Sequence, residues 1–127
     1  MKQIILDTNF LMIPAQFGVD IFTEIARIMT ENYEIVVLDQ TLKELGVVVA
    51  SGKGRDSQAA KIALDLVAAK RVRVVETKEN YVDKAILDLV EQDRHIVATQ
   101  DRDLKKSLRL RGIPIIIMRK KQSLVLL

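Results

Sequence analysis

Five short apolar runs constrain this chain most strongly: Gln3–Leu6, Glu34–Leu38, Val72–Val75, His95–Ala98 and Ile115–Met118. They are rich in Ile and Val, and nearly continuous rather than alternating between apolar and polar residues. A strand with one wet face alternates, whereas a strand of a parallel sheet is covered on both faces and reads as an unbroken apolar run. The segments between them carry helical spacing. Asp20–Thr30 repeats Ile21, Ile25, Ile28 and Met29, and Thr41–Val49 repeats Leu42, Leu45 and Val49. Ser57–Ala69 repeats Ala59, Ile62, Ala63, Leu66 and Val67, and Asn80–Gln92 repeats Val82, Ala85, Ile86, Leu89 and Val90. Asp101–Arg111 repeats Leu104 and Leu108 and stops at Gly112, with Pro114 just beyond. Strands alternating with helices predict an α/β fold: a three-layer α/β/α sandwich around a short parallel sheet of about five strands.

The length of 127 residues predicts a single domain, residues 1–127. There is no repeat, and no linker rich in Pro, Gly or Ser divides the chain. The segment Ser51–Gly54 separates two of the helices, and the apolar end Ser123–Leu127 suits either an extra edge strand or a contact with a partner. The longest apolar run, Ile113–Met118, is far short of the roughly 20 residues of a membrane span. No secretory leader is evident at the N-terminus. The absence of Cys excludes disulfides, thiolate chemistry and iron–sulfur clusters, and agrees with a reducing, cytoplasmic setting. A single His excludes a multi-His zinc site.

Charge is unevenly distributed. Residues 1–50 carry Lys2, Arg27 and Lys43 against seven acids, whereas Arg102–Leu127 carries eight basic residues and only Asp103 as an acid. An acidic centre beside a basic surface suits an anionic polymer held near bound cations, although a solubilising basic tail gives the same composition.

Ligand sites of open α/β sheets form at the carboxyl ends of the strands. Asp7 follows the first run directly, and Asp101 follows the fourth by three residues, so both fall on that edge. Glu44 lies early on the helix after the second run, off its Leu42/Leu45/Val49 stripe. Asp83 shares a helical face with Ile86, Leu87 and Val90, where a carboxylate is costly unless something pairs with it. Each also has a plainer reading. Asn80 or Asp83, and Thr99 or Asp101, suit helix caps, and Asp7 suits a turn after a strand. Four caps and turns all facing one edge are a less economical account than one shared site. Without Cys or further His, such an oxygen-only cluster selects hard cations: Mg²⁺, Mn²⁺ or Ca²⁺. Clustered carboxylates also need a cation to relieve their repulsion. Beyond Asp101, the residues Arg102, Lys105, Lys106 and Arg109 recur at i, i+3, i+4 and i+7, opposite Leu104 and Leu108. That basic stripe fits a phosphate backbone, or simply a solvated face. Only five aromatics are present, so extensive base stacking is not expected.

Taken in order, ILDTNFLM, TLKEL, VDKAIL and IVATQDRDLKKSLRLRGIPII resemble the four motifs of the PIN-domain nucleases over essentially the whole chain. The last is most similar to the archaeal and eukaryotic branch linked to ribosomal RNA processing. The resemblance implies that Asp7, Glu44, Asp83 and Asp101 bind Mg²⁺ or Mn²⁺ and support metal-assisted hydrolysis of RNA. It implies that Asn9 and Thr99 orient a carboxylate or a water, and that Asp103 is a fifth acid. The extra zinc module and long tail of larger relatives in that branch are missing. The expected function is a metal-dependent endoribonuclease in RNA processing or ribosome biogenesis, acting on single-stranded or loop RNA. The alternatives are a toxin-type ribonuclease held by an antitoxin, and an RNA-binding assembly factor with little catalysis. A phospho-acceptor domain fits less well, since Asp7 has no acidic neighbour. Surplus apolar residues in the first half, and the habit of the family, suggest a homodimer.

Overall fold

In the computed structural model, which describes residues 1–127, the chain runs β1 (Lys2–Leu6), α1 (Thr8–Leu11), α2 (Ile13–Phe17), α3 (Ile21–Ile28), β2 (Tyr33–Leu38), α4 (Asp39–Ala50), α5 (Gly54–Ala69), β3 (Arg73–Val75), α6 (Val82–Leu89), β4 (His95–Ala98), α7 (Arg102–Leu110), β5 (Ile115–Arg119) and β6 (Ser123–Leu126). The strand order is β3-β2-β1-β4-β5-β6. All neighbours are parallel except β5 and β6, which pair antiparallel. The sheet therefore has six strands rather than about five, because Ser123–Leu126 takes the edge-strand option.

Both faces of the sheet are covered, which is why the strands read as continuous apolar runs. Along β1, Ile4 and Leu6 join Phe10, Ile21, Ile25, Leu45 and Ala60 on one face. Ile5 points the other way, against Val82, Ile86, Leu104 and Leu108. Thus α1 to α5 form one outer layer and α6 and α7 the other. No helix is long and apolar enough to cross a membrane.

Several sequence expectations shift at their edges. The helices α1 and α2 were not expected, because TNFLMIPAQF is apolar nearly throughout and shows no helical period. Pro14 sits in the first turn of α2, and Gly18, at φ 67°, ends it in the left-handed region. The helix α5 starts at Gly54 rather than Ser57, and Ile62, expected in its stripe, is exposed. The helix α6 is shorter than Asn80–Gln92. It stops when Val90 turns extended, and the chain then folds back, with the Glu91 N–H donating to His95 Nδ1 at 3.0 Å.

The topology determines where a site can form. From β1 the chain steps outward to β2 and β3, then returns to the opposite side of β1 as β4. Connections leave β1 and β4 in opposite directions, which opens a crevice at their carboxyl ends. The only His, on β4, is buried at the far end of that strand and takes no part in this crevice.

Candidate active site at the sheet edge

The crevice is filled by carboxylates. Asp7, Thr8, Asn9, Glu44, Val47, Val48, Asp83 and Asp101 line a cavity of about 460 Å³. Asp7 and Glu44 come from the α1–α4 layer, and Asp83 and Asp101 from α6 and α7, so the cavity straddles the sheet edge.

Local chemistry explains each position. Asp7 is the cap of α1, its Oδ1 accepting from the Thr8 N–H at 2.8 Å. Asp101 is the cap of α7, its Oδ1 accepting from the Leu104 N–H at 2.7 Å. For both acids, capping and site membership are compatible roles, because the cap occupies one lone pair of one carboxylate oxygen and leaves others to accept. Neither Asn80 nor Asp83 caps α6. Its cap position is Tyr81, without a side-chain bond, and Asp83 lies in the first turn. The buried face of α6 is Val82, Ala85 and Ile86. Asp83 therefore sits on the rim of that face rather than leading it, so its residue is exposed while its carboxyl is still partly desolvated by the crevice.

Thr99 ties two of the acids together. It is fully buried, and its hydroxyl donates to Asp7 Oδ2 at 2.8 Å while accepting from the Asp101 N–H at 3.0 Å. Thr8 does the same for Glu44, donating to Oε1 at 2.5 Å, with Thr41 Oγ1 at 3.4 Å behind it. Thr8, Thr41, Val47 and Val48 are site residues that sequence reasoning missed. The signal was thin: a Thr between an Asp and an Asn reads as the start of a helix. Asn9 lines the cavity from the exposed side of α1. Asp103 is exposed and lies outside the cavity lining, but its charge is felt at Asp83.

The electrostatics are those of a crowded acidic cluster. Burial pushes the Asp7 carboxyl up to about 6, against the bonds from Thr99 and Thr8, and the charges of Asp83 and Asp101 push it the same way. Asp83 is also raised, by burial first and then by the charges of Asp101, Glu44 and Asp103. No cation within the protein answers them. The three side-chain ion pairs are Arg27–Glu24, Arg73–Glu34 and Lys84–Glu79, all elsewhere. The donor set is entirely oxygen, which fits a hard divalent cation. No three of the acids converge into a closed cage. Mg²⁺ does not demand one, since it keeps several waters and takes only one or two carboxylates directly.

Directly beyond Asp101, the exposed side of α7 forms a groove of about 390 Å³ lined by Arg102, Lys105, Lys106, Arg109 and Leu110. Leu104 and Leu108 bury the opposite side, as expected.

A family model described as a PIN like domain matches residues 4–121. Ribonuclease VapC4 of Methanocaldococcus jannaschii is 34% identical over 125 residues, covering 96% of this chain and 94% of that protein. Ribonuclease VapC9 of Archaeoglobus fulgidus is 29% identical over 111 residues, covering 87% of this chain and 78% of that protein. Among solved structures, the PIN domain endonuclease Utp24 superposes with a TM-score of 0.78 and 25% identity, covering 98% of this chain and 90% of that one. The family model, the relative matched along almost the whole length and the shared fold agree: this chain belongs to the PIN like domain family.

Proposed function

We propose that residues 1–127 act as one nuclease domain, a metal-dependent endoribonuclease that hydrolyses phosphodiester bonds of single-stranded or looped RNA. The observation that carries this reading is a set of four carboxylates from four elements, gathered at the topological switch point with no cationic partner. The names of the relatives, two ribonucleases and an endonuclease, support it. In this reading Asp7, Glu44, Asp83 and Asp101 hold Mg²⁺ or Mn²⁺. A divalent cation held there supplies the charge that activates water and offsets the charge gathering on the phosphate.

The chain's own contribution is orientation. Thr99 fixes the second oxygen of Asp7, Oδ2, and the backbone of Asp101 through one hydroxyl. Thr8 fixes Glu44, and Asn9 stands at the mouth to orient a water or a phosphate oxygen. Arg102, Lys105, Lys106 and Arg109 hold the phosphate backbone next to the acids.

Two cellular roles fit this chemistry: RNA processing, which the resemblance of the fourth motif implies, and a toxin-type ribonuclease restrained by an antitoxin, supported by the two VapC relatives. Co-purification from the native cell separates them, since a restrained toxin travels with a small tightly bound partner.

The activity itself is tested by mapping product ends on labelled RNA. Attack by water rather than by the ribose 2′-hydroxyl leaves 5′-phosphate and 3′-hydroxyl ends, and EDTA abolishes the cleavage. Metal-independent products with 2′,3′-cyclic phosphate contradict the proposal. Replacing Lys105, Lys106 and Arg109 together with Ala lowers RNA affinity about equally for unrelated sequences. It also flattens the plot of log affinity against log salt by about 2, at roughly 0.7 per phosphate contact on a single strand. An unchanged slope means that RNA runs over another surface.

A further inference from the structure

The turn between β5 and β6 is built from unfavourable residues. It is closed by the Gln122 N–H donating to the Arg119 carbonyl at 3.2 Å, and its two central residues, Lys120 and Lys121, both have φ of 56°. With Arg119 opposite Ser123, three residues connect the strands, and the first two of them take the left-handed conformation that Asn and Gly tolerate best. Lysine has a full Cβ and no short polar group to hydrogen-bond its own backbone, so it gains nothing in this conformation. A strained backbone at an exposed tip, where a better turn sequence exists, points to a use for the side chains.

The tip lies on the same edge of the sheet as the carboxylates. Leu6, Ala98 and Ile116 stand in one row across β1, β4 and β5. Asp7 is one residue past that row and Arg119 three residues past it, or about 10 Å at 3.3 Å per residue. The base of the hairpin is fastened to the loop that leads into the active site, since the Met118 N–H donates to Gln100 Oε1 at 2.8 Å between Thr99 and Asp101. Arg119, Lys120 and Lys121 are exposed, and none forms an ion pair. Lys121 Nζ lies over the Phe17 ring, 5.7 Å from its centre, which steadies the tip against α2. The β5 flank of the acidic crevice therefore has cationic surface on both faces of the sheet: α7 beyond Asp101 on one, and this hairpin, leaning towards α2, on the other.

We infer that the β5–β6 hairpin tip, through Lys120 and Lys121 with Arg119 at its base, is a second phosphate-contacting arm for the RNA strand, on the same flank of the crevice as α7 but leaning to the other face of the sheet. This rests on the proposed ribonuclease function. A sugar–phosphate chain that reaches the carboxylates from the β5 flank passes between α7 on one face of the sheet edge and the hairpin on the other. Non-specific phosphate contacts need charge and reach, which lysines on a projecting turn supply, and they need no base stacking.

The test replaces Lys120 and Lys121 with Asn and Gly, the residues the turn favours. The hairpin predicts a protein whose melting temperature rises by about 5 °C while its binding of a mixed-sequence, fluorescein-labelled single-stranded RNA weakens. The log–log salt slope falls by about 1.4, the share of two single-strand contacts. Because the variant is the more stable protein, lost binding cannot be attributed to damage to the fold. A second variant with Arg at both positions keeps the charge and the strain, and retains wild-type affinity and slope. If the Asn-Gly variant binds with the wild-type affinity and slope, the hairpin does not touch RNA and the inference is overturned, with the ribonuclease reading untouched. Wild-type protein that fails to bind the RNA overturns both.

Discussion

Replacing Asp101 with Asn is expected to lower the cleavage rate by about 100-fold or more while leaving the fold intact. The two halves of that expectation rest on different atoms. The structural work of Asp101 is to accept the Leu104 N–H at 2.7 Å, and an Asn carbonyl accepts the same bond at the start of α7. The Asp101 N–H bond to Thr99 is a backbone bond and survives as well. What is lost is one negative charge in a cluster whose purpose, in the proposed function, is to hold a divalent cation. Even indirect supporting residues of metal sites cost 10–100-fold on replacement, so a direct ligand should cost at least the upper end of that range. The check is a pair of measurements on one preparation: thermal unfolding, unchanged within about 0.5 kcal/mol, and RNA cleavage in Mg²⁺ or Mn²⁺. Equal activity in the two proteins removes Asp101 from the chemistry.

Asp7→Asn should do something less intuitive and make the metal-free protein more stable at neutral pH. Asp7 is only 4% exposed, and its carboxyl titrates near 6 instead of the ordinary 3.8, mainly because burial disfavours the charged form. Between 3.8 and about 6 the folded state binds the proton more tightly than the unfolded state. Stability attributable to Asp7 therefore falls as pH rises through that window and stays low above it. About 2 units correspond to roughly 3 kcal/mol carried as a penalty at pH 7.5. Asn removes the penalty but loses the bond from the Thr99 hydroxyl, worth about 1 kcal/mol, so a net gain of about 2 kcal/mol is expected. The gain should shrink on acidification and disappear near pH 4, where folded wild type already carries the proton. Millimolar Mn²⁺ should raise the melting temperature of wild type, since a ligand bound only by the folded state stabilises it. The variant should respond much less. Unfolding scans at pH 4.5 and 7.5, each with and without Mn²⁺, check all of this together. A variant less stable than wild type at pH 7.5 contradicts the buried-charge account. Such an exchange of stability for function is common at active sites.

The architecture was legible in the sequence because both sheet faces are buried. Ile4, Ile5 and Leu6 point alternately to opposite faces, and each face has its own helical cover, so no polar alternation was possible. The segment from Thr8 to Phe17 was not legible. Its two short helices bury Phe10, Leu11 and Ile13 but leave Ala15 and the apolar Phe17 exposed, so apolar residues fall on both the covered and the wet side and no period shows. Among the acids, position after a strand was informative but insufficient. Asp39 follows β2 as directly as Asp7 follows β1, yet it stays out of the cavity. Its Oδ1 accepts from the Gln40 N–H and from both the N–H and the hydroxyl of Thr77, so it fastens the loop after β3. Only the three-dimensional placement of Thr77 separates that structural carboxylate from a site carboxylate. Thr8 and Thr41 escaped notice for a similar reason. A hydroxyl that steers Glu44 carries no signature in one sequence, and the spacing of 33 residues between the two closes only when α1 packs on α4.

The basic side chains were half legible. The period of Arg102, Lys105, Lys106 and Arg109 marks a helix face, and the structure forms that face into a groove beside Asp101. Lys120 and Lys121 looked like tail charge. Their position on the active edge follows from β5 running parallel to β4 and turning back through β6, a pairing that four residues of apolar sequence could only suggest.

The central claim is that Asp7, Glu44, Asp83 and Asp101 together hold a divalent cation. Diffraction from a Mn²⁺-soaked crystal, read by anomalous scattering, tests it most directly because metal, ligands and geometry appear in one map. The account predicts one or two Mn²⁺ peaks inside the cavity, each with at least one oxygen of these four residues at about 2.0–2.6 Å. A soaked crystal with the cavity free of Mn²⁺, or with the ion bound only at other acids, would contradict the account.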